Sequence, residues 1–253
     1  VDWDGDGDLD LLVGNNSNRI AYFERDGRGL KPMVALRHDL GDRFSFRAQP
    51  APVDWNGDGK LDLIVGNSAG YIEWFENTGT REMPAFAARG YLRAGGKPIR
   101  RVAGANKSVQ GPAEAKWGYA NPSVADWDMD GKLDLVVNDI YGEVVWYKGT
   151  GDLQELEPAR NIEVEWPGAT PKPEWVWWEP RGKQLLTQWR TTPKVADWDK
   201  DGLPDLVMLN HQGYLCLFRR MKRDGKLLLG PPERIFVTET GRYLNLSNGR
   251  AGS

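Results

Sequence analysis

One nine-residue acidic segment is written four times in this chain of 253 residues: DWDGDGDLD from Asp2, DWNGDGKLD from Asp54, DWDMDGKLD from Asp126 and DWDKDGLPD from Asp197. Each copy puts oxygen-bearing side chains at positions 1, 3, 5 and 9 and glycine at position 6. A hard cation such as calcium requires this of a short segment that wraps around it. The oxygen positions are filled by Asp2, Asp4, Asp6 and Asp10, by Asp54, Asn56, Asp58 and Asp62, by Asp126, Asp128, Asp130 and Asp134, and by Asp197, Asp199, Asp201 and Asp205. The seventh residue would offer only its backbone carbonyl, so its side chain is free to vary: Asp8, Lys60, Lys132 and Leu203. A plain acidic surface turn is the lesser reading even of one such segment, and four in register leave it very little room.

An EF-hand begins in the same way, but it needs a bidentate Glu at position 12 and flanking helices. Val13, Val65, Val137 and Met208 stand at that position. Each loop instead enters a β-branched apolar run (LDLLVGN, LDLIVGN, LDLVVND, PDLVMLN), then a short polar turn, then a second strand-like run. The repeated unit is therefore strand, acidic loop, strand, turn, strand.

Over residues 1 to 27, 52 to 80, 123 to 151 and 194 to 225 this unit resembles the FG-GAP or VCBS repeat, the calcium-bearing blade motif of integrin alpha-chain propellers and of many secreted bacterial proteins. The resemblance implies an all-β chain and a β-propeller of four-stranded antiparallel blades. In each blade the loop joins the first and second strands, with up to four Ca2+ ions in all. Repeats are expected at 1–51, 52–122, 123–193 and 194–253, as a four-blade piece of a seven-bladed propeller, because an open ring exposes sheet edges. Two departures stand out. Asn56 lowers the charge of the second loop, and Pro204 removes a backbone N–H just before the last ligand of the fourth.

Composition excludes several classes. No apolar run approaches the length of a membrane span, and no G-x-S-x-G, H-E-x-x-H, P-loop or Rossmann fingerprint is present. No nucleic-acid-binding module is visible either, so no nucleic-acid partner is expected. The single cysteine, Cys216, rules out an internal disulfide and reads as a small buried hydrophobe in the strand YLCLF. Calcium is plentiful outside cells, so the loops favour a secreted, periplasmic or cell-surface protein. The loops contain five, three, four and four of the 36 acidic residues, against 33 Lys and Arg in the chain. With four Ca2+ bound the formal charge of −3 would become +5, leaving a basic exterior.

That basic surface is expected on the connections between units, on the side opposite the loops. Residues 28 to 51 carry Arg28, Lys31, Arg37, Arg43 and Arg47 against Asp39 and Asp42, and residues 93 to 116 carry Arg93, Lys97, Arg100, Arg101, Lys107 and Lys116 against Glu114. Residues 152 to 193 are mildly acidic but hold Trp166, Trp175, Trp177, Trp178 and Trp189, with Trp117 in the connection before them. Indole faces cover sugar rings and guanidinium groups pair with carboxylates or sulfates, so an anionic polysaccharide is the expected ligand. Arg47, Gln49, Trp117, Tyr119, Asn121, Trp189 and Arg190 are the binding candidates. They precede the first strands in runs that end near Pro50, Pro122 and Pro193, and replacing Arg190 or Trp189 is expected to weaken binding with little loss of stability. Turn residues Asn15, Asn67, Asp139, Tyr141, Asn210 and His211 share that side. For an enzyme, a lyase more readily than a hydrolase, His211 and Tyr141 are the proton-transfer candidates and Arg190 the neutraliser of the substrate carboxylate, with His38 a weaker candidate. Carbohydrate-binding propeller, polysaccharide-degrading enzyme and adhesion scaffold with a protein ligand are the three readings, in that order.

Overall fold

β-Branched, apolar residues that alternate in facing two neighbours form the strand leaving each acidic loop. The computed structural model describes residues 1–14, 20–36, 47–104 and 112–246, and it places these strands at Leu11–Gly14, Asp62–Gly66, Asp134–Asn138 and Asp205–Leu209. Each pairs antiparallel with the strand that follows it, at Ile20–Phe23, Ile72–Asn77, Val144–Tyr147 and Leu215–Phe218. In the second, third and fourth units a strand before the loop (Gln49–Val53, Asn121–Ala125, Lys194–Ala196) pairs on the other edge, so the loop joins the first and second strands. Pro50, Pro52 and Pro122 lie in these first strands, at a sheet edge that has no ladder donor to lose. Fourth strands at Phe86–Tyr91 and Arg160–Asn161 complete the second and third units, and Val34–Ala35 is the outer strand of a three-stranded sheet in the first. The architecture is all-β and built of open, mainly antiparallel sheets; the described residues include a 3-10 turn at Pro112–Lys116 and a two-residue parallel pairing of Arg93–Ala94 with Glu155–Leu156. Among the described residues no helix is long and apolar enough to cross a membrane.

Period-2 alternation sends position 11 of the motif to one sheet face and positions 10 and 12 to the other. Trp3, Ile20 and Leu12 of the first unit pack with Leu63 and Val65 of the second. Ile64 and Trp55 pack with Leu135 and Val137 of the third, and Val136 and Trp127 with Leu206, Met208 and the free, buried Cys216 of the fourth. Each apolar cluster thus joins two consecutive units. The approach is close where the second strand ends: a Cβ on Gly14 would lie 1.8 Å from Ala48 O, and one on Gly66 would lie 2.2 Å from Ala120 O.

The turn after the second strand and the connection into the next unit lie side by side. Arg101 N donates to Gly70 O, Gly118 N to Ser68 O and Thr187 N to Gly142 O, at 2.8 to 2.9 Å. Asn15, Arg37, His38, Asp39, Asp42, Arg43, Phe46 and Lys107 lie outside the described residues.

Candidate functional site

Glycine at loop position 6 has φ between 87° and 95° in all four copies, a left-handed value that suits glycine alone without strain. Position 4 is left-handed as well: Gly5 and Gly57 adopt it freely, while Met129 and Lys200 hold φ of 62° and 63°. This turn aims the acidic side chains inward. In the first loop Asp2 accepts from Gly5 N, whereas in the other three position 1 accepts backbone N–H groups from positions 5 and 6, as Asp126 does from Asp130 and Gly131 and Asp197 does from Asp201 and Gly202, at 2.9 to 3.0 Å. Asp54 does the same with Asp58 and Gly59.

Position 9 has a second role that the spacing alone does not reveal. Asp10, Asp62, Asp134 and Asp205 are buried, and one oxygen of each accepts the backbone N–H of the residue fifteen positions on: Arg25, Asn77, Gly149 and Arg220. The other oxygen accepts from the backbone of the loop tryptophan in three copies (Trp3, Trp127, Trp198) and from the Trp74 indole in the second. This carboxylate therefore ties the loop to the end of the third strand. Burial pushes the Asp134 carboxyl up to about 6 and raises that of Asp62, since desolvation penalises the charged form.

Carboxylate oxygens converge within 4.8 Å of one another for Asp2, Asp4 and Asp6, for Asp126, Asp128 and Asp134, and for Asp197, Asp199 and Asp205. In the third loop Asp128 Oδ1 is buried with no hydrogen-bond partner. The donor set, all oxygen and carrying several negative charges, is what calcium prefers and a softer metal does not. Basic side chains stand at the rims. Lys148 reaches Asp128 and lies 2.7 Å from Asp130, Arg219 reaches Asp199, Lys60 is 3.0 Å from Asp58, and Arg81 from the second unit is 3.4 Å from Asp2.

On the connection side Arg47, Tyr119 and Arg190 come together. All three have left-handed backbone three residues before a proline, and Tyr119 lies 5.6 Å from the Arg47 guanidinium and 3.8 Å from that of Arg190. Arg190 is not a bare rim cation. It is 2.6 Å from the buried Glu114 and stacks on Trp189, which is itself buried with Ile140 and Ala103. Gln49 faces Thr192, and Asn121 is buried with its amide donating to Tyr119 O. Trp117 lies under Lys116 and beside Tyr119.

Tyr141 sits against Trp178 and Arg101, and burial together with the nearby Asp139 pushes its hydroxyl up to about 12. Asp139 is held by Arg101 at 2.6 Å, with Glu143 on the same guanidinium at 2.7 Å. His211 is half-buried, and burial and Arg234 lower its pKa. Its backbone carbonyl accepts from Gln188. The three catalytic candidates thus occupy different environments, each beside a different arginine or ion pair.

Sequence reasoning missed Tyr71. This residue immediately precedes the third strand of the second unit, bridged to Arg100, whose guanidinium lies 4.9 Å from its ring, and Tyr91 stacks on it at 4.5 Å. Arg100 is exposed, and its hydrogen bonds go to the carbonyls of Ala69 and Lys116. Clustered arginines at 93 to 116 were the only signal for it. Trp177 is exposed near the same side, edge-on to Trp178, while Trp175 packs against the turn at Gly142.

A family model described as FG-GAP-like repeat matches residues 2–65 and 54–137. No curated protein matches the chain. Among solved structures, a Photorhabdus luminescens Tc holotoxin pore carrying the TccC3 D651A mutation is similar at 15% identity, with a TM-score of 0.38. The alignment covers 94% of this chain and 10% of that one, so the chain spans about a tenth of the length of that relative.

Proposed function

The chain belongs to the FG-GAP-like repeat family, and from that premise we propose that it is a β-propeller domain whose acidic loops hold calcium and whose opposite side binds anionic polysaccharide. Calcium would be held by side chains at positions 1, 3, 5 and 9 and by the carbonyl at position 7 of each loop. Converging carboxylates and the partnerless Asp128 Oδ1 support this assignment. When bound, the ion neutralises repulsion among facing carboxylates. An exported location follows from the calcium concentration such loops need.

The glycan reading is carried by one observation: exposed Arg100 lies over Tyr71 with backbone carbonyls as its hydrogen-bond partners. A guanidinium offered on an aromatic platform suits a uronate or sulfate attached to a sugar ring. Lys116 over Trp117 repeats the pairing nearby, and Trp177 supplies a further exposed face. Arg190 and Trp189 then serve to hold the connection in place.

Retention of the chain on uronate, sulfated and neutral polysaccharides in calcium tests the reading, with product formation followed at the same time. Binding to the anionic set, weakened about tenfold by Arg100→Ala, is expected. Retention on none of them removes the glycan reading and leaves the calcium assignment to its own test. Appearance of an unsaturated sugar product would turn the reading to a lyase.

A further inference from the structure

The connection side carries two aromatic positions that differ in charge. Tyr71, Arg100 and Lys116 belong to the second unit and Tyr141 and Trp177 to the third, so each stands on a unit packed against neighbours on both sides. At the first position the Arg100 guanidinium lies over the Tyr71 ring, and Lys116 lies 5.5 Å over Trp117. Both cations are exposed, and among the described residues neither forms an ion pair. The adjacent Arg101 is instead committed to Asp139 and Glu143.

Trp177 marks the second position and is 55% exposed, more than any other tryptophan of the chain. Its ring is braced edge-on by Trp178 at 5.1 Å, and Trp178 meets Trp175 and Tyr141 edge-on at 6.2 Å, so the indole stands on a packed aromatic base. The segment from Lys172 to Arg181 has no net charge, since Glu174 and Glu179 balance Lys172 and Arg181. The Lys172 ammonium is taken up by Glu179 and by the Trp178 carbonyl. An anionic sugar finds no net attraction there, whereas the apolar face of an uncharged pyranose can cover the indole. Tyr141 links the two positions: it lies 6.2 Å from Trp178 and 5.8 Å from the guanidinium of Arg101, the residue after Arg100. Tyr71 follows Gly70 and Tyr141 precedes Gly142, left-handed glycines of the same turn in successive units.

We propose that Trp177 is a second sugar subsite, selective for an uncharged residue, so that the ligand is a polysaccharide carrying both acidic and neutral pyranoses. An acidic residue sits on Arg100 and a neutral one on Trp177. The inference rests on the glycan reading above and narrows it. What carries it is the contrast between an aromatic platform with exposed cations and an exposed indole with no net charge, on the same side of adjacent units. Tyr141 and Trp178 stand between the two, so one sugar cannot fill both. Affinity therefore rises with chain length until both subsites are reached, because the second contact is then intramolecular.

Calorimetric titration with two series of size-matched oligosaccharides tests it, one series all uronate and the other alternating uronate with neutral residues. Wild type, Trp177→Ala, Trp177→Phe and Arg100→Ala are compared. Both positions are exposed, so the variants should fold, and continued burial of Cys216 to a thiol reagent checks that they do. Wild type should bind the mixed series more tightly than the uronate series. Trp177→Ala should weaken the mixed series about tenfold and leave the uronate series unchanged, with Trp177→Phe recovering part of the loss. Arg100→Ala should weaken both series. A wild type with no preference for the mixed series, or a Trp177→Ala variant that binds it as wild type does, would overturn the subsite while the Arg100 platform stands. Binding of neither series removes the glycan reading itself, and this inference with it.

Discussion

Arg190 holds its guanidinium 3.8 Å from the centroid of the Tyr119 ring, and the two residues occupy equivalent left-handed positions, φ 56° and 50°, in successive connections. The same guanidinium lies 2.6 Å from Glu114. Burial lowers the Arg190 pKa, so the pair rests on close geometry rather than on solvated charge. Breaking such a pair leaves a buried charge uncompensated. Glu114→Ala is expected to lower stability by about 3 kcal/mol, read from the denaturant midpoint, with Arg190→Ala of similar size. Trp189→Ala should cost about 3 to 5 kcal/mol, because its ring is in the core. The sequence reading had these two replaceable at little cost in stability. Losses well under 1 kcal/mol would restore that reading and dismiss the pair as structural.

In the third loop Asp134, a proposed calcium ligand, also holds the backbone, whereas Asp130 would serve chiefly the ion. Asp134 is buried and accepts from Trp127 N at 2.9 Å and Gly149 N at 2.6 Å, so Asp134→Ala strands two backbone donors and should cost about 3 kcal/mol even in chelator. Asp130 is exposed and held by Lys132 N and Lys148, so Asp130→Ala should matter little in chelator but reduce the stabilisation that calcium adds. For wild type that stabilisation should reach about 2.7 kcal/mol per site at roughly a hundredfold excess over Kd. Lys148→Met should tighten calcium binding, because Lys148 competes for Asp128 and Asp130. Melting curves and calorimetric titration with and without EGTA check all four statements, and a wild-type curve indifferent to EGTA ends the calcium assignment.

Legibility followed the length scale of the physics. The loop turn, with glycine at position 6, and the strand that leaves it are local, so the motif was enough to place them. The buried strand position of Cys216 followed from its apolar neighbours. Partners distant in sequence were not legible: Arg190 with Glu114 is separated by 76 residues, and Trp55 with Leu153 by 98. The basic connection at 93 to 116 was read as exposed charge, yet Arg101 is committed to Asp139 and Glu143 while the adjacent Arg100 is not; composition cannot distinguish two neighbouring arginines. The left-handed backbone of Met129 and Lys200 was invisible for a similar reason, since only glycine at the equivalent Gly5 and Gly57 signals it.

Cys216 is fully buried between the third and fourth units, and burial pushes its thiol up to about 11. The thiolate is the reactive form, so native protein at mildly alkaline pH should resist a thiol reagent and react stoichiometrically once unfolded. The rate should then track opening of that junction, and Met208→Ala, next to it in the same cluster, should raise it by about tenfold or more. Immediate labelling of native protein would show that the junction is open in solution.

His211 gives the fold a pH dependence of definite sign. Burial first, and then the positive charge of Arg234, lower its pKa from 6.5. Between the folded value and 6.5 the unfolded chain binds a proton that the folded chain does not, so stability rises with pH through that window and is lost as pH falls through it. The histidine contribution to the denaturant midpoint should therefore drop as pH falls through 6.5, and His211→Gln, which cannot take up the proton, should flatten the slope there. Raised carboxyls such as Asp134 act in the opposite sense between 3.8 and about 6, since there the folded chain holds the extra proton. Subtracting the variant curve from wild type isolates the histidine contribution. If the two curves run parallel, the imidazole is solvated in the folded state and neither burial nor the Arg234 charge governs its titration.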